Sequence, residues 1–187
     1  MKYGFLWMFK WSSFVWLAIL LFAIDMVTKV CAEKYLTNGS VVVIPHVLNF
    51  TLTYNTGAAW GAGGGELWSR ILLVIISWAA MFGIIYALIR YHKKFNNWYK
   101  ATLMVILAGD VGNLIDRTFF FNRGVIDFMN IQPLIKGFGI FNFADSCLVV
   151  GIIMLMILFI IDAVKEEKDS KKKIKEAEEK IKNERDK

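Results

Sequence analysis

The chain has 187 residues, of which 57% are hydrophobic and 15% aromatic, and its mean hydropathy is +0.48. A soluble domain of this size rarely has such a composition, which favours a membrane protein instead. The net charge of +6 does not indicate nucleic-acid binding, because much of the charge lies in a run of mixed sign at the end of the chain.

Four apolar stretches are long enough to be membrane spans, since about 20 apolar residues cross a hydrocarbon core about 30 Å thick. They occupy residues 12–35, 67–90, 98–121 and 139–164. The first follows basic residues, as a secretory signal would, but its apolar run is too long and no small-residue cleavage site follows it. We therefore predict an all-α membrane protein with four transmembrane helices in a single domain over residues 1–164.

The distribution of basic residues predicts the orientation, because Lys and Arg concentrate in cytoplasmic segments. The N-terminus, the segment 90–100 and the tail 165–187 are all rich in basic residues. Four spans place these three segments on the same side of the membrane. We therefore expect both termini to be cytoplasmic, with the loops 36–66 and 122–138 outside. The charged tail is expected to be a solvated helix or disordered.

The first span carries three polar residues near its outer end. Asp25, Thr28 and Lys29 follow one another at i, i+3 and i+4, so they share one helix face. An acid and a base at this spacing neutralise each other, and a lysine can extend its ammonium outward. Structural support is the simplest interpretation of Asp25 and Lys29.

The loop 36–66 predicts a small extracytoplasmic β-rich region. Its segment "SVVVIPHVLNFTLTYNTGAAWG" alternates between apolar and polar residues and is rich in Val and Thr. It ends with turn residues such as Asn55 and Gly57. Aromatic residues within it, including Trp60, suit the membrane interface. We expect this region to cover the polar cluster of the spans as a substrate cradle, with glycines 63–65 as a hinge into the second span.

The third span contains a polar stripe within "LAGDVGNLIDR". Gly109, Asn113, Asp116 and Arg117 are spaced so that they line one face of a helix. A tight helix seam explains the glycine and the asparagine, but it does not require both an acid and an arginine. Asp110 points about 120° away from Asp116, and the sequence gives it no role.

Two further acids lie in apolar surroundings, in "VIDFMN" and "FNFADS". Asp127 follows the third span, and Asp145 lies with Asn142 and Ser146 at the start of the fourth. An intramembrane acid is by default a functional-site hypothesis. Because the polar stripes of the first, third and fourth spans all lie near the outer surface, we expect them to meet there.

Metal chemistry receives no support from the sequence. The chain has two cysteines and two histidines, and Cys31 and Cys147 form no C-x-x-C pair, whereas zinc sites need three or four converging ligands. We predict no metal and no cofactor, and we expect the cysteines to pack as small apolar residues.

Five segments in this order resemble the motif blocks of the bacterial lipoprotein signal peptidases, also called signal peptidase II: "DMVTK", "YNTGAAWG", "AGDVGNLIDR", "GVIDF" and "FNFADS". The resemblance covers most of the chain. Two features depart from the family pattern, namely Ala108, where the family has the first glycine of a pair, and the long charged tail.

This resemblance implies an aspartic endopeptidase of the bacterial cytoplasmic membrane, with no nucleic-acid partner. The family removes signal peptides from prolipoproteins, cutting just before a diacylglyceryl-modified cysteine. By the family pattern the catalytic pair is Asp127 and Asp145. Asp116 is a rival, but an acid next to Arg117 tends to stay ionised, whereas a dyad shares one proton between two carboxyls.

The resemblance also suggests roles for the remaining polar residues. Asn55 is expected to hold the peptide from the outer loop, and Asp25 and Lys29 to brace the first span. A group on the third and fourth spans is expected to bind the substrate or support the dyad: Gly109, Asn113, Asp116, Arg117 and Asn142.

Three alternatives remain open. Intramembrane acids also serve proton-coupled transporters, although the internal repeat and midplane site typical of transporters are missing. Ser146 and Lys29 could form a Ser–Lys protease pair. The chain could also be a purely structural membrane protein.

Overall fold

The computed structural model describes residues 10–37, 39–57 and 67–185. The expected interfacial Trp60 and the expected hinge at 63–65 lie outside these ranges. In chain order the elements are a short 3-10 helix (Trp11–Ser13), α1 (Val15–Tyr35), β1 (Ser40–Ile44), β2 (Leu48–Asn55), α2 (Leu67–Tyr91), α3 (Asn97–Phe119), β3 (Val125–Asn130) and α4 (Phe143–Arg185).

Helix α3 is the centre of the bundle and packs against α1, α2 and α4. Its first turn is capped by Asn96, whose side-chain oxygen accepts a hydrogen bond from the backbone N–H of Tyr99 at 3.0 Å. The hydroxyl of Tyr99 donates to Asp162 of α4 at 2.7 Å. The polar residues of α3 are therefore surrounded by helices on three sides.

Helices α1, α2 and α4 are each long and apolar enough to cross a membrane, and no other helix of the described residues is. Helix α3 has 23 residues and matches the span predicted at 98–121, but Asp110, Asp116 and Arg117 interrupt its apolar sequence. The fold is thus mostly helical with at least three membrane-crossing candidates. The fourth span remains a prediction.

A three-stranded antiparallel sheet in the order β1-β2-β3 lies at the end of the bundle where α1 ends and α4 begins, called here the sheet end. Strands β1 and β2 form a hairpin within the β-rich region predicted from the loop 36–66. Strand β3 was not predicted, because the segment 122–138 was expected to be a loop. Its Ile126 and Phe128 are buried against Ala32 and Leu36 of α1, which fixes the sheet on the bundle.

The charged residues after Val164 continue α4 as one helix to Arg185. Ion pairs at i, i+4 spacing support this extension, such as Lys171 with Glu167, whose charged atoms lie 2.6 Å apart. Of the two expectations for the tail, a solvated helix and a disordered segment, the structure has the helix.

Candidate active site

Asp127 and Asp145 come from different elements and are joined by Asn142. Asp127 lies on β3, and Asp145 lies in the first turn of α4. The side-chain amide of Asn142 donates to Oδ1 of Asp127 at 2.7 Å, and its backbone N–H donates to Oδ2 of Asp145 at 3.0 Å. One residue therefore holds both carboxylates at the junction of the sheet and the bundle.

The position of Asn142 follows from the way α4 begins. Its Oδ1 accepts the backbone N–H of Asp145 at 2.9 Å, while the Asp145 carboxylate accepts the backbone N–H of Asn142. These reciprocal bonds over three residues have the pattern of a capping box at a helix start. The sequence "NFAD" contains this signal, and our sequence analysis did not use it.

Two further asparagines donate to the carboxylates. Nδ2 of Asn55, at the end of β2, lies 3.0 Å from Oδ2 of Asp127, and Nδ2 of Asn113 lies 2.8 Å from Oδ1 of Asp145. The oxygen of the Asn55 side chain accepts the backbone N–H of Gly57 at 3.0 Å, which fixes the direction of its amide. Both oxygens of each carboxylate therefore accept a hydrogen bond.

Strand β3 reaches Asn55 closely because residue 124 is glycine. Gly124 has φ +87°, and a Cβ there would lie 2.6 Å from the backbone oxygen of Asn55. A side chain would therefore disturb the register in which Asn55 pairs with Val125 and Thr53 with Asp127.

Asp127 is 2% exposed. The pKa of its carboxyl is raised to about 7, mainly by burial and also by the neighbouring Asp145 carboxylate, while the hydrogen bonds from Asn55 and Asn142 oppose the shift. A carboxyl with this pKa can hold a proton near neutral pH, which a proton-sharing pair requires.

A buried cation, Lys29, lies next to the residues that hold the two carboxylates. The ammonium of Lys29 lies 2.9 Å from Asp25 and 3.0 Å from Asp116, and Lys29 is 2% exposed. The expectation that Lys29 extends outward is wrong, because two carboxylates hold its ammonium inside the bundle. Asp25 also accepts the backbone N–H of Ala144 at 2.8 Å, so α1 caps the start of α4.

The expected pairing of Asp116 with Arg117 is also wrong. Asp116 binds Arg123, with Nη2 2.8 Å from its Oδ1, in addition to Lys29. Neighbouring residues on a helix point about 100° apart, and Arg117 instead lines a groove beside Asp145. Its Nε is buried and has no hydrogen-bond partner in the part of the chain that the structure describes.

Gly109 lies at a close approach of α3 and α4, since a Cβ there would be 2.5 Å from the backbone oxygen of Ala144. It allows the two helices to pack closely, and the structure records no contact between it and the two carboxylates. Asp110 hydrogen-bonds with Ser77 of α2 and lies within electrostatic reach of Arg117.

Two grooves meet at the carboxylates. The first, of about 410 Å³, contains Asp127 and is lined by polar residues such as Thr53 and Gln132. The second, of about 510 Å³, contains Asp145 and runs along the apolar side chains of α4 near Val149. Asn55 and the segment 138–140 border both. An extended chain passing from one groove to the other would cross the two carboxylates.

Arg123 is a site residue that the sequence analysis missed. Its guanidinium bridges Asp116 and Glu33, with the Glu33 contact at 3.0 Å, and the hydroxyl of Tyr54 donates to the same Glu33 oxygen at 3.1 Å. These contacts join α1, α3 and the sheet. A single arginine in a loop gives no spacing pattern from which this network could be found.

The geometry does not support a Ser–Lys pair. The hydroxyl of Ser146 donates to the backbone oxygen of Asn142 at 3.2 Å. The ammonium of Lys29 is surrounded by oxygens of Asp25, Asp116, Asn113 and Gly112. Neither group is therefore arranged to activate the other.

Comparison with known proteins points to one family. The family model described as signal peptidase (SPase) II matches residues 17–161. The lipoprotein signal peptidase of Bacillus subtilis is 35% identical over 154 residues, covering 82% of this chain and 96% of the relative. That of Desulfitobacterium hafniense is 40% identical over 159 residues, covering 82% and 97%.

Solved structures of bacterial membrane enzymes share the fold of this chain. A bacterial membrane enzyme determined by the in meso method at 2.3 Å superimposes with a TM-score of 0.68 and 32% identity, over 81% of this chain and 88% of that chain. A second structure, at 1.9 Å, gives a TM-score of 0.66 at 30% identity.

Proposed function

The chain belongs to the signal peptidase II family, and from this premise we propose that it is a membrane aspartic endopeptidase that removes signal peptides from prolipoproteins. We propose Asp127 and Asp145 as the catalytic dyad. The observation that carries this assignment is the double contact of Asn142, which holds one oxygen of each carboxylate by a hydrogen bond.

In the proposed mechanism the two carboxyls share one proton. The ionised carboxylate takes a proton from a water molecule, which attacks the scissile carbonyl, while the protonated carboxyl donates to the carbonyl oxygen. The product of this step is a tetrahedral gem-diol, and its collapse returns a proton to the leaving amine. No covalent intermediate and no cofactor is needed. Which carboxyl holds the proton is a property of the pair.

The proposed substrate position follows from the two grooves. The apolar groove along α4 suits acyl chains and apolar signal-peptide residues, and the polar groove suits an extended peptide. We assign cleavage to the bond before a diacylglyceryl-modified cysteine because a lipidated residue can place its acyl chains beside α4 while its backbone lies at the dyad. Asn55 borders both grooves and would hold the peptide there.

The other site residues support this arrangement in the proposal. The buried Nε of Arg117 has no hydrogen-bond partner among the described residues, so in the proposal Arg117 binds a substrate carbonyl. Asn113 and Asn142 orient the carboxylates. Asp25, Lys29 and Asp116 hold α1, α3 and α4 together behind them.

We further propose four membrane spans, with both termini in the cytoplasm and the dyad near the outer face of the bacterial cytoplasmic membrane. Helix α3 can lie within the membrane despite its charged residues because the other helices surround it and Asp116 is paired. The domain would then comprise residues 1–164, and the extension of α4 would project into the cytoplasm.

The proposal is tested with purified full-length protein in lipid and a synthetic precursor carrying the diacylglyceryl-modified cysteine. Mass spectrometry should find the precursor cut directly before that cysteine. The same peptide with an unmodified cysteine is the matched control and should be cut far more slowly. Absence of cleavage by monodisperse protein, or equal cleavage of the two precursors, would refute the assignment.

A further inference from the structure

A second cleft lies at the end of the bundle opposite the sheet, where α1 begins and α2 ends. Helices α1 and α2 both pack on α3 but make almost no contact with each other. The gap between them, floored by α3, has a volume of about 270 Å³. Every residue that lines it is apolar, among them Val15, Ala18 and Phe22 of α1, Leu88 of α2 and Leu107 of α3.

The cleft is open to the bilayer along one side, and it is long enough to hold part of an acyl chain. Ile19 and Ile89 both line it and are 62% and 37% exposed. It follows α1 from Val15 to Phe22, and the seven helical rises between these two residues correspond to about 10 Å. It therefore extends from the end of the bundle over much of one leaflet, whose hydrocarbon depth is about 15 Å.

Charge at the mouth of the cleft distinguishes the lipid that would fit. Lys10 precedes α1, Arg90 lies in the last turn of α2, and Lys93 and Lys94 follow that helix. The chain has no Asp or Glu between residues 67 and 109. On α4, Asp162 accepts a hydrogen bond from Tyr99, and Glu166 and Glu167 follow it on the extension of that helix. The mouth is thus basic, while the interior of the cleft is uncharged.

We propose that this cleft binds an anionic glycerophospholipid, with one acyl chain between α1 and α2 and the phosphate near Arg90, Lys93 and Lys94. Basic pockets between helices bind anionic headgroups in this way. The site is separate from the dyad, which lies at the sheet end, and the proposal does not depend on the peptidase assignment.

Native mass spectrometry of the full-length protein tests the proposal, with dioleoyl phosphatidylglycerol and dioleoyl phosphatidylcholine offered at equal mole fractions. The wild-type protein should retain one phosphatidylglycerol in preference to phosphatidylcholine. The triple variant Arg90→Gln, Lys93→Gln, Lys94→Gln should lose that preference by about tenfold or more. Its matched control is Lys171→Gln, Lys172→Gln, Lys173→Gln, which removes three charges from the extension of α4 and should leave the preference unchanged.

A second pair of variants tests the acyl-chain position. Ala18→Trp fills the cleft and should remove the retained lipid, whichever headgroup it carries. Ala80→Trp makes the same change on an exposed face of α2 and should retain it. Equal retention of the two lipids by the wild type would overturn the proposal, as would an equal loss in both triple variants. Full retention in Ala18→Trp would overturn the acyl-chain assignment.

Discussion

The ammonium of Lys29 on α1 lies 3.0 Å from Oδ2 of Asp116 on α3, and both side chains are almost fully buried. The same ammonium lies 3.1 Å from Oδ1 of Asn113. Since an asparagine has an acceptor at one end of its amide and a donor at the other, this contact directs the NH₂ of Asn113 toward Asp145. The buried ion pair therefore fixes the orientation of a group that binds the proposed dyad.

Asp116→Asn should lower both stability and turnover without abolishing cleavage. The amide leaves Lys29 with Asp25 as its remaining carboxylate and weakens the contact with Arg123, and breaking a buried pair costs about 3 kcal/mol. We expect a lower Tm together with reduced but measurable kcat/KM. Glu167→Gln, which removes an exposed ion pair of the α4 extension, is the control and should change neither. An unchanged Tm in Asp116→Asn would contradict the role assigned to the pair.

Asp127→Asn and Asp145→Asn should each abolish cleavage while leaving insertion near normal. The amide preserves the volume of the carboxyl but cannot exchange the shared proton. The double variant should be scarcely worse than either single variant, because residues that act as a unit are not additive. These rates are measured with the lipidated precursor. Substantial cleavage by either single variant would mean that the dyad is misassigned.

The helices and the hairpin could be predicted from the sequence because their signals are local. Continuous apolar runs define α1, α2 and α4, and helical spacing places Asp25, Lys29 and Asn113 on inward faces. Strand β3 could not be predicted in this way, because Val125 to Asn130 become a strand only when β2 lies beside them. From the local sequence we likewise predicted that Asp116 pairs with its neighbour Arg117, whereas in the fold it pairs with Arg123 and Lys29.

Deleting residues 168–187 should leave cleavage nearly unchanged. The extension of α4 is exposed where described, and its recorded ion pairs are internal to the helix, such as Lys172 with Glu176. Residues of this kind tolerate truncation. The measurement is kcat/KM of the truncated protein relative to the full-length protein, both reconstituted at the same density. A large loss in correctly inserted protein would assign the extension a role in catalysis.

Single-cysteine labelling should place Lys93 and Lys172 in the cytoplasm and Asn55 and Arg123 outside. The basic segments set this orientation, and Asn55 and Arg123 lie at the sheet end, next to the proposed dyad. The labelled positions are introduced into a variant without Cys31 and Cys147. External labelling at position 93 would reverse the topology and place the dyad on the side where no exported precursor is cleaved.

The pKa of Asp127 predicts how turnover and stability depend on pH. Because burial and the Asp145 carboxylate raise this pKa from 3.8 to about 7, kcat/KM should fall above about pH 7, where the dyad loses its shared proton. The folded state then binds more protons than the unfolded state between about pH 4 and 7. The contribution of Asp127 protonation to the stability of the folded state is therefore complete below about pH 4 and is lost as the pH rises through 7. The Tm should decline over that range, and less so in Asp127→Asn.

Asn55→Ala separates this titration from substrate binding. The hydrogen bond from Asn55 favours the ionised form of Asp127 and lowers its pKa, so its removal should move the alkaline limb of the kcat/KM profile to higher pH. Tyr54→Phe changes a residue of the same groove whose hydroxyl binds Glu33, and it should leave the limb in place. A role of Asn55 in substrate binding alone would raise KM at every pH without moving the limb. A limb that stays fixed in Asn55→Ala would therefore remove Asp127 as the group that titrates.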